Sequence, residues 1–336
     1  MKKRTATLEL GEKVNYNYSE LTATQVLEMF LSEKMVSNLS PYTINLYRVH
    51  CGVFIRFLKD EAEKPVYIAC NKDHYNRFIL DQQAQGKKAV SIASTARSIR
   101  SWLHWMMENN ALDRYKVTIP AYQHTIPETY TDEELTILLD KPKGSCTEVE
   151  YETWVFINIA IATGLRLSSI LSLKASDIVF SENTIVVNRT KNRKALSLVV
   201  NDELLAILKT YIRIFGISSD GFLFTTGEGN VVNVRTMEDF VKRYLSKRGI
   251  TKAKKIHAFR HTFARNHYLQ THDMYRLKEL MGHSVISTTE AYLGTLGLET
   301  SKVIEYNPQA KFIKKKNDPD EQKMAHRRKS LIKNHQ

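Results

Sequence analysis

A few side chains in the second half of this 336-residue chain have the types and spacing to do chemistry. They are Arg166 in "ATGLRLSSI", Lys191 in "NRTKNRKALSLVV", His257 and Arg260 in "KIHAFRHTFA", and His283 and Tyr292 in "ELMGHSVISTTEAYLG". A tyrosine hydroxyl, with an ordinary pKa of about 10, is a weak nucleophile at neutral pH. It attacks where cations stabilise its oxyanion and a neighbouring group takes its proton. Guanidiniums suit an anionic target with several oxygens, because their planar fork binds two of them at once. Singly, each residue also has an ordinary explanation. Arg166 follows Gly164 and can offset the negative end of a helix dipole. Lys191 can be a hairpin-turn lysine, and Tyr292 a half-buried helix aromatic. His257 and His261 stand at i,i+4, a spacing that could hold a metal. No glutamate follows His257 in HExxH order and no third ligand is evident, so no metal site is expected.

These residues need elements to hold them. From Ser19 the pattern is helical. Val26, Leu27, Met29, Phe30 and Leu31 form one apolar face. Ser40 is an N-cap with Pro41 at the first helical position, and Leu46, Val53, Phe54 and Leu58 fall near one stripe behind it. A third helix is expected within 73–85 and a fourth within "SIASTARSIRSWLHWMMENN". In the fourth, Ile99, Leu103 and Met106 face inward while Arg97 and Arg100 share another face at i,i+3. Residues 1–18 read as a flexible leader, 19–113 as an all-helical module, and 114–130, with two prolines and no periodicity, as a linker. The second domain, 131–310, opens on a Thr131/Glu134 capping box. A helix through "TWVFINIAIATG" ends at Gly164, a natural C-cap. Then "DIVF", "TIVVNRT" and "ALSLVV" predict a small antiparallel three-stranded sheet, and helices resume from Asp202. Ser287 and Glu290 have capping-box spacing, so a short helix is expected to start there and carry Tyr292 in its second turn. Residues 311–336 are a basic polar tail, read as solvated, with non-specific DNA contact as the alternative. The fold class expected is mainly α, an N-terminal helical domain followed by a mixed α+β domain.

Composition narrows the partners. Lysine and arginine outnumber aspartate and glutamate by 49 to 36, a net charge of +13. That balance favours a polyanion, most often nucleic acid. The three cysteines, Cys51, Cys70 and Cys146, are isolated and lack CxxC spacing. They fit a reducing cytoplasm better than a disulfide scaffold or a zinc site. The first residues, "MKKRTATLELGEK", lack the apolar core of a signal peptide, and no apolar run reaches membrane-spanning length. Cytoplasmic localisation is therefore expected.

Read in order, the four stretches resemble the tyrosine recombinase (phage-integrase type) family. "TGLR", a lysine in a strand–turn–strand, "HAFRHTFA", then "LMGH" with a tyrosine nine residues on match that family's ordered signature. The resemblance extends less specifically to "LSPYTINLYRVH" and "STARSIRSWLHW", which look like the helices of a core-binding (SAM-like) domain. It implies a site-specific DNA recombinase. Tyr292 would attack a DNA phosphodiester and form a 3′-phosphotyrosine, and strands would exchange through a Holliday junction. Arg166 and Arg260 would neutralise the non-bridging oxygens, and His257, one turn before Arg260, would be the general base. Lys191 would protonate the leaving 5′ oxygen, and His283 would hydrogen-bond the phosphate. Lys194 shares the turn with Lys191, flanked by Arg189 and Arg193. His261 matches a common family histidine and is read as structural. The family often has an acid three residues after the first arginine; here that position is Ser169.

A covalent tyrosine ester keeps a phosphate ester throughout, so rejoining needs no ATP, metal or other cofactor. The partners implied are double-stranded DNA recombination sites and a homotetramer on synapsed DNA, with a monomer or dimer otherwise. No membrane is involved, and accessory DNA-bending proteins are compatible with the scheme. Arg48, Arg97 and Arg100 are candidate phosphate contacts in the first domain; each is also explained as a solvated charge. Residues 293–310 would dock either on a neighbouring protomer or within the same chain. Only about 18 residues precede the first helix, short for a separate folded arm-binding domain. Serving a mobile element, by integration, excision or transposition, or resolving replicons, are the tasks in view. The alternatives are type IB topoisomerase-like relaxation and a DNA-binding regulator without catalysis.

Overall fold

The computed structural model describes residues 18–123, 127–188, 195–250, 256–283 and 285–295. The expected lysine, Lys191, lies outside the described residues with Arg189, Arg193 and Lys194, as do the leader up to residue 17, the segment 296–310 and the tail. The chain divides into two compact units, Met1–His124 and Thr125–Gln336.

The first unit is helical. Helix α1 (Ala23–Val36) starts at Thr22, whose side chain and that of Gln25 form a reciprocal capping box. Helix α2 (Pro41–Leu58) is capped by Ser40 with Pro41 at its first position. Its buried stripe is Ile44, Cys51, Phe54 and Leu58, with Leu46 and Val53 only partly covered. The sevenfold step 44–51–58 outranks the expected stripe because Cys51, easily passed over as polar, packs as a small apolar residue. Helices α3 (Val66–Ala69) and α4 (Lys72–Ala84) follow, and α5 (Ala89–Glu108) runs through the middle of the core. Ile99, Leu103 and Met106 are fully buried. Edge-to-face aromatic pairs, Phe54 with Phe78 at 5.2 Å and Phe30 with Trp105 at 5.8 Å, lock these helices together. The segment expected to be a linker from residue 114 is docked at its start. Val117 is buried, the Tyr75 hydroxyl donates to the Thr118 carbonyl, and the Tyr115 hydroxyl donates to the Cys70 carbonyl. Aperiodic backbone can pack in this way when tyrosines satisfy its polar groups.

The second unit is built around α7. Helix α6 (Asp132–Leu139) opens with the Thr131/Glu134 capping box. Helix α7 (Glu148–Thr163) is buried on nearly every face, including Tyr151, Trp154, Phe156 and Ile157. An element apolar all round has to be central, and α6, α9, α10 and α11 surround it. After Gly164 comes the short α8 (Leu167–Leu171). Strands β1 (Ile178–Val179), β2 (Thr184–Val187) and β3 (Leu196–Val199) form an antiparallel sheet in the order β1-β2-β3, with Ile185 opposite both Ile178 and Leu198. Helices α9 (Asp202–Phe215) and α10 (Val234–Lys247) begin on Asn201 and Asn233 caps. Helices α11 (His257–Thr271), α12 (Met274–Leu280) and α13 (Ile286–Thr295) complete the described chain. Helix α13 begins at Ile286, so Ser287 lies inside its first turn and not at its cap. Tyr292 is in the second turn, as expected.

Candidate active site

Three chain segments converge on Arg260. Helix α7 ends at Gly164, which adopts the left-handed conformation with φ +61°. A Cβ there would stand 2.2 Å from the Phe263 ring, so glycine is required both for the turn and for the approach of α11. The turn presents the Gly164 carbonyl to α11, where Arg260 Nη1 donates to it at 2.6 Å. Arg260 Nη2 donates to the Met281 carbonyl at 2.7 Å and lies 3.2 Å from His283 Nε2. The guanidinium is thus stretched between the end of α7 and the turn after α12, with 8% of the residue exposed.

Arg166, the residue before α8, is half-buried close by. Burial lowers its pKa, while Arg260 is lowered to about 10, first by burial and then by the charge of Arg166. Both stay cationic at neutral pH. Neither forms an ion pair among the described residues. Two like charges held together without a carboxylate raise the energy of the free fold, and an arriving anion would relieve it. Ser169, where an acid often stands in the resembling family, is buried and carries a neutral hydroxyl, so it supplies no countercharge.

Tyr292 reaches this cluster from α13. Its ring packs against the small apolar group of Ala264, Leu277, Met281 and Leu293. Its hydroxyl hydrogen-bonds His261 Nδ1, the two rings stacking at 5.0 Å, and the His283 ring stands edge-on at 6.2 Å. Burial raises the phenol pKa above its usual value, with Arg260 opposing the rise. His261 is lowered to about 4, by burial first and then by His257 and Arg260. The free protein therefore holds a neutral phenol on a neutral imidazole.

The structure thus gathers Arg166, Arg260, His283 and Tyr292, and it adds His261. His257, expected to be the proton acceptor, is exposed at the first position of α11, and the tyrosine oxygen meets His261 instead. The reason is axial: His257 and His261 share one side of α11, and the tyrosine arrives a full turn further along. Nothing in the residue types favours one histidine over the other. Sequence reasoning also missed Thr289, whose hydroxyl lies 2.9 Å from His283 Nδ1, and Thr262, which accepts the Tyr130 backbone N–H at 2.8 Å and ties the start of this unit to α11.

In the first unit, Arg48 is exposed and pairs with Glu28. Arg97 donates to the Tyr122 hydroxyl at 3.1 Å and lies over its ring. Arg100 lines a shallow polar recess with Lys34 and His104.

The histidines give the unit a pH signature. His261 and His283 both titrate near 4 in the folded chain against an ordinary 6.5, in each case mainly through burial. Between those values the unfolded chain binds more protons, so stability falls as pH drops from about 6.5 towards 4 and is level above 6.5. Denaturant unfolding at pH 7 and pH 5 is expected to show this loss, and His261→Gln is expected to reduce it. An unchanged pH dependence in that variant would count against a buried neutral His261.

The chain is similar to known proteins. Residues 128–296 match the family model described as "Phage integrase family". Over 305 residues the chain is 24% identical to the tyrosine recombinase XerC of Chromobacterium violaceum, covering 89% of this chain and 98% of the relative. It is 25% identical over 285 residues to the tyrosine recombinase XerA of Pyrococcus furiosus, covering 84% and 93%. Among solved structures, the integrase of transposon Tn1549, in complex with transposon right-end DNA, superposes with a TM-score of 0.64 at 18% identity, covering 81% of this chain and 94% of that one. A lambda integrase dimer bound to a core site gives 0.66 at 16% identity, covering 86% and 82%. With the ordered motifs, the fold and the family match in agreement, the chain belongs to the phage integrase family, the tyrosine recombinases.

Proposed function

We propose that this protein is a site-specific recombinase that cuts and rejoins duplex DNA through a 3′-phosphotyrosine at Tyr292 and a Holliday junction. The reading rests on one observation: a tyrosine hydroxyl bonded to a histidine and facing Arg260, which itself faces Arg166, with neither guanidinium in an ion pair among the described residues. In this scheme Arg166 and Arg260 grip the non-bridging oxygens of the scissile phosphate, where charge builds in the transition state. Tyr292 Oη forms a bond to phosphorus as its proton passes to His261 Nδ1, and the P–O5′ bond breaks. Lys191 protonates the departing 5′ oxygen, and His283 donates a hydrogen bond to the phosphate. His257, exposed one turn earlier, is a further phosphate contact or proton acceptor. The reverse attack by a 5′-hydroxyl from another strand restores a phosphodiester, so the scheme needs no ATP.

The first unit supplies phosphate contacts from Arg48, Arg97 and Arg100. The Arg48–Glu28 pair is exposed and contributes little, so a phosphate can displace it. The working assembly is a homotetramer on two synapsed sites in the cytoplasm, serving a mobile element or the resolution of replicons. Among the described residues no helix is long and apolar enough to cross a membrane.

The test is a duplex carrying a nick near the cleavage position, so that the short 5′-hydroxyl strand diffuses away. A covalent adduct should accumulate, and peptide mapping should place the DNA 3′-phosphate on Tyr292. An adduct on another residue, or none on any substrate that supports recombination in cells, would defeat the assignment. Supercoil relaxation without exchange between duplexes would favour a topoisomerase instead.

A further inference from the structure

His283 Nε2 lies 3.2 Å from Arg260 Nη2, and a guanidinium only donates, so Nε2 presents its lone pair. A neutral imidazole has one N–H, which therefore sits on Nδ1 and donates to Thr289 Oγ1 at 2.9 Å. The neutral form is consistent with the lowered pKa of His283, about 4, caused by burial and then by Arg260 and Arg166. This arrangement suits the free protein and not the proposed reaction. A phosphate oxygen only accepts, so His283 can bind it through Nε2 only if that nitrogen carries the proton. Nδ1 must then accept, and the hydrogen it accepts has to come from Thr289.

We propose that Thr289 is a positioning residue whose hydroxyl satisfies His283 Nδ1 in either tautomer, accepting from Nδ1–H in the free protein, where Arg260 holds the lone pair on Nε2, and donating to Nδ1 when phosphate replaces Arg260 at Nε2. The exchange is balanced: one proton leaves Nδ1 for solvent, one arrives at Nε2, and the ring stays neutral. A hydroxyl is the smallest group able to play both roles. Thr289 is fully buried. It stands on α13 three residues before Tyr292, so the same bond ties the nucleophile's helix to the turn that carries His283. The other groups facing His283 are Arg260 from α11, Arg166 before α8 and Tyr292 from α13. The Tyr292 hydroxyl is engaged by His261, whereas the Thr289 hydroxyl stands at His283 Nδ1 and can both give and take a hydrogen there.

The inference rests on the recombinase reading for its consequence in catalysis, but its structural half is measurable without DNA. Nitrogen NMR of histidine-labelled full-length protein distinguishes Nδ1–H from Nε2–H for His283, assigned by comparison with His283→Gln. The parent is expected to show the Nδ1–H form. Thr289→Val keeps the side-chain shape and removes the hydroxyl; Arg260 still holds the lone pair on Nε2, so the Nδ1–H form is expected to persist with a shifted Nδ1 resonance and faster exchange of its proton with water. The valine variant should also slow adduct formation on the nicked duplex about tenfold or more, as loss of a histidine's outer hydrogen-bond partner does elsewhere, with duplex affinity unchanged. Thr289→Ser is expected to restore the Nδ1 resonance and most of the rate. A valine variant with the parent's Nδ1 resonance and rate, or a serine variant as slow as valine, would overturn the proposal. A parent that forms no adduct at Tyr292 would overturn the recombinase reading, while the NMR comparison would still decide the role of Thr289.

Discussion

Arg260→Lys is expected to lower the rate of strand cleavage about a thousandfold while changing duplex affinity only a few-fold. The charge survives the substitution, so the loss isolates what the guanidinium's shape does. Its two terminal nitrogens reach carbonyls on separate segments, Gly164 at 2.6 Å and Met281 at 2.7 Å, and one of them also approaches His283. A lysine ammonium is a point donor on a flexible stem and cannot span both carbonyls while facing a phosphate. Removing one aligned donor from a developing oxyanion costs on the order of 100- to 1,000-fold, and misplacing the turn that holds His283 adds to it. Affinity is less affected because many backbone phosphate contacts share it. Single-turnover adduct formation and a gel-shift titration, run at one salt concentration, measure the two quantities. A lysine variant that cleaves within tenfold of the parent would mean that Arg260 contributes charge alone.

The second large effect concerns the glycine that shapes this corner. Gly164→Ala should destabilise the catalytic unit by about 3 kcal/mol. About 1–2 kcal/mol comes from forcing a Cβ into the left-handed region. The remainder comes from overpacking, since the new Cβ would lie 2.2 Å from the nearest ring carbon of Phe263. The carbonyl that anchors Arg260 belongs to the same residue, so cleavage should fall with stability. Denaturant unfolding of Gly164→Ala, Phe263→Leu and the pair forms a double-mutant cycle that separates the two contributions. The smaller side chain should recover the steric part in the double variant and leave the conformational part. A loss below about 1 kcal/mol in Gly164→Ala would show that the ring yields freely and that the turn does not need glycine.

The two residues illustrate which features of this protein were legible along the chain. Gly164 as a C-cap, the Thr131/Glu134 capping box, the Ser40 cap with Pro41 and the three short strands all follow from neighbours within a few positions. The start of α13 was misplaced at Ser287 because spacing alone marks two matching residues and does not say whether the first lies outside the helix. On α2, Phe54 and Leu58 are buried as the stripe predicts, while Ile44 and Cys51 take the places of Leu46 and Val53, because a cysteine's burial depends on what faces it.

The order of Arg166, Lys191, His257, Arg260, His283 and Tyr292, and hence the family, was determined by the sequence itself. Residue types and their order along the chain need no coordinates. What only the tertiary structure decided is who touches whom. Tyr292 meets His261 and not His257, Arg260 is anchored by two carbonyls that residue type cannot reveal, and His283 leans on a buried threonine. Hydrogen bonds are lost over a few tenths of an ångström and some tens of degrees. The level at which α13 meets α11 is set by packing, of α11 against α7, nearly a hundred residues away, and of α13 against α12, and that packing selects one histidine over its neighbour a turn away.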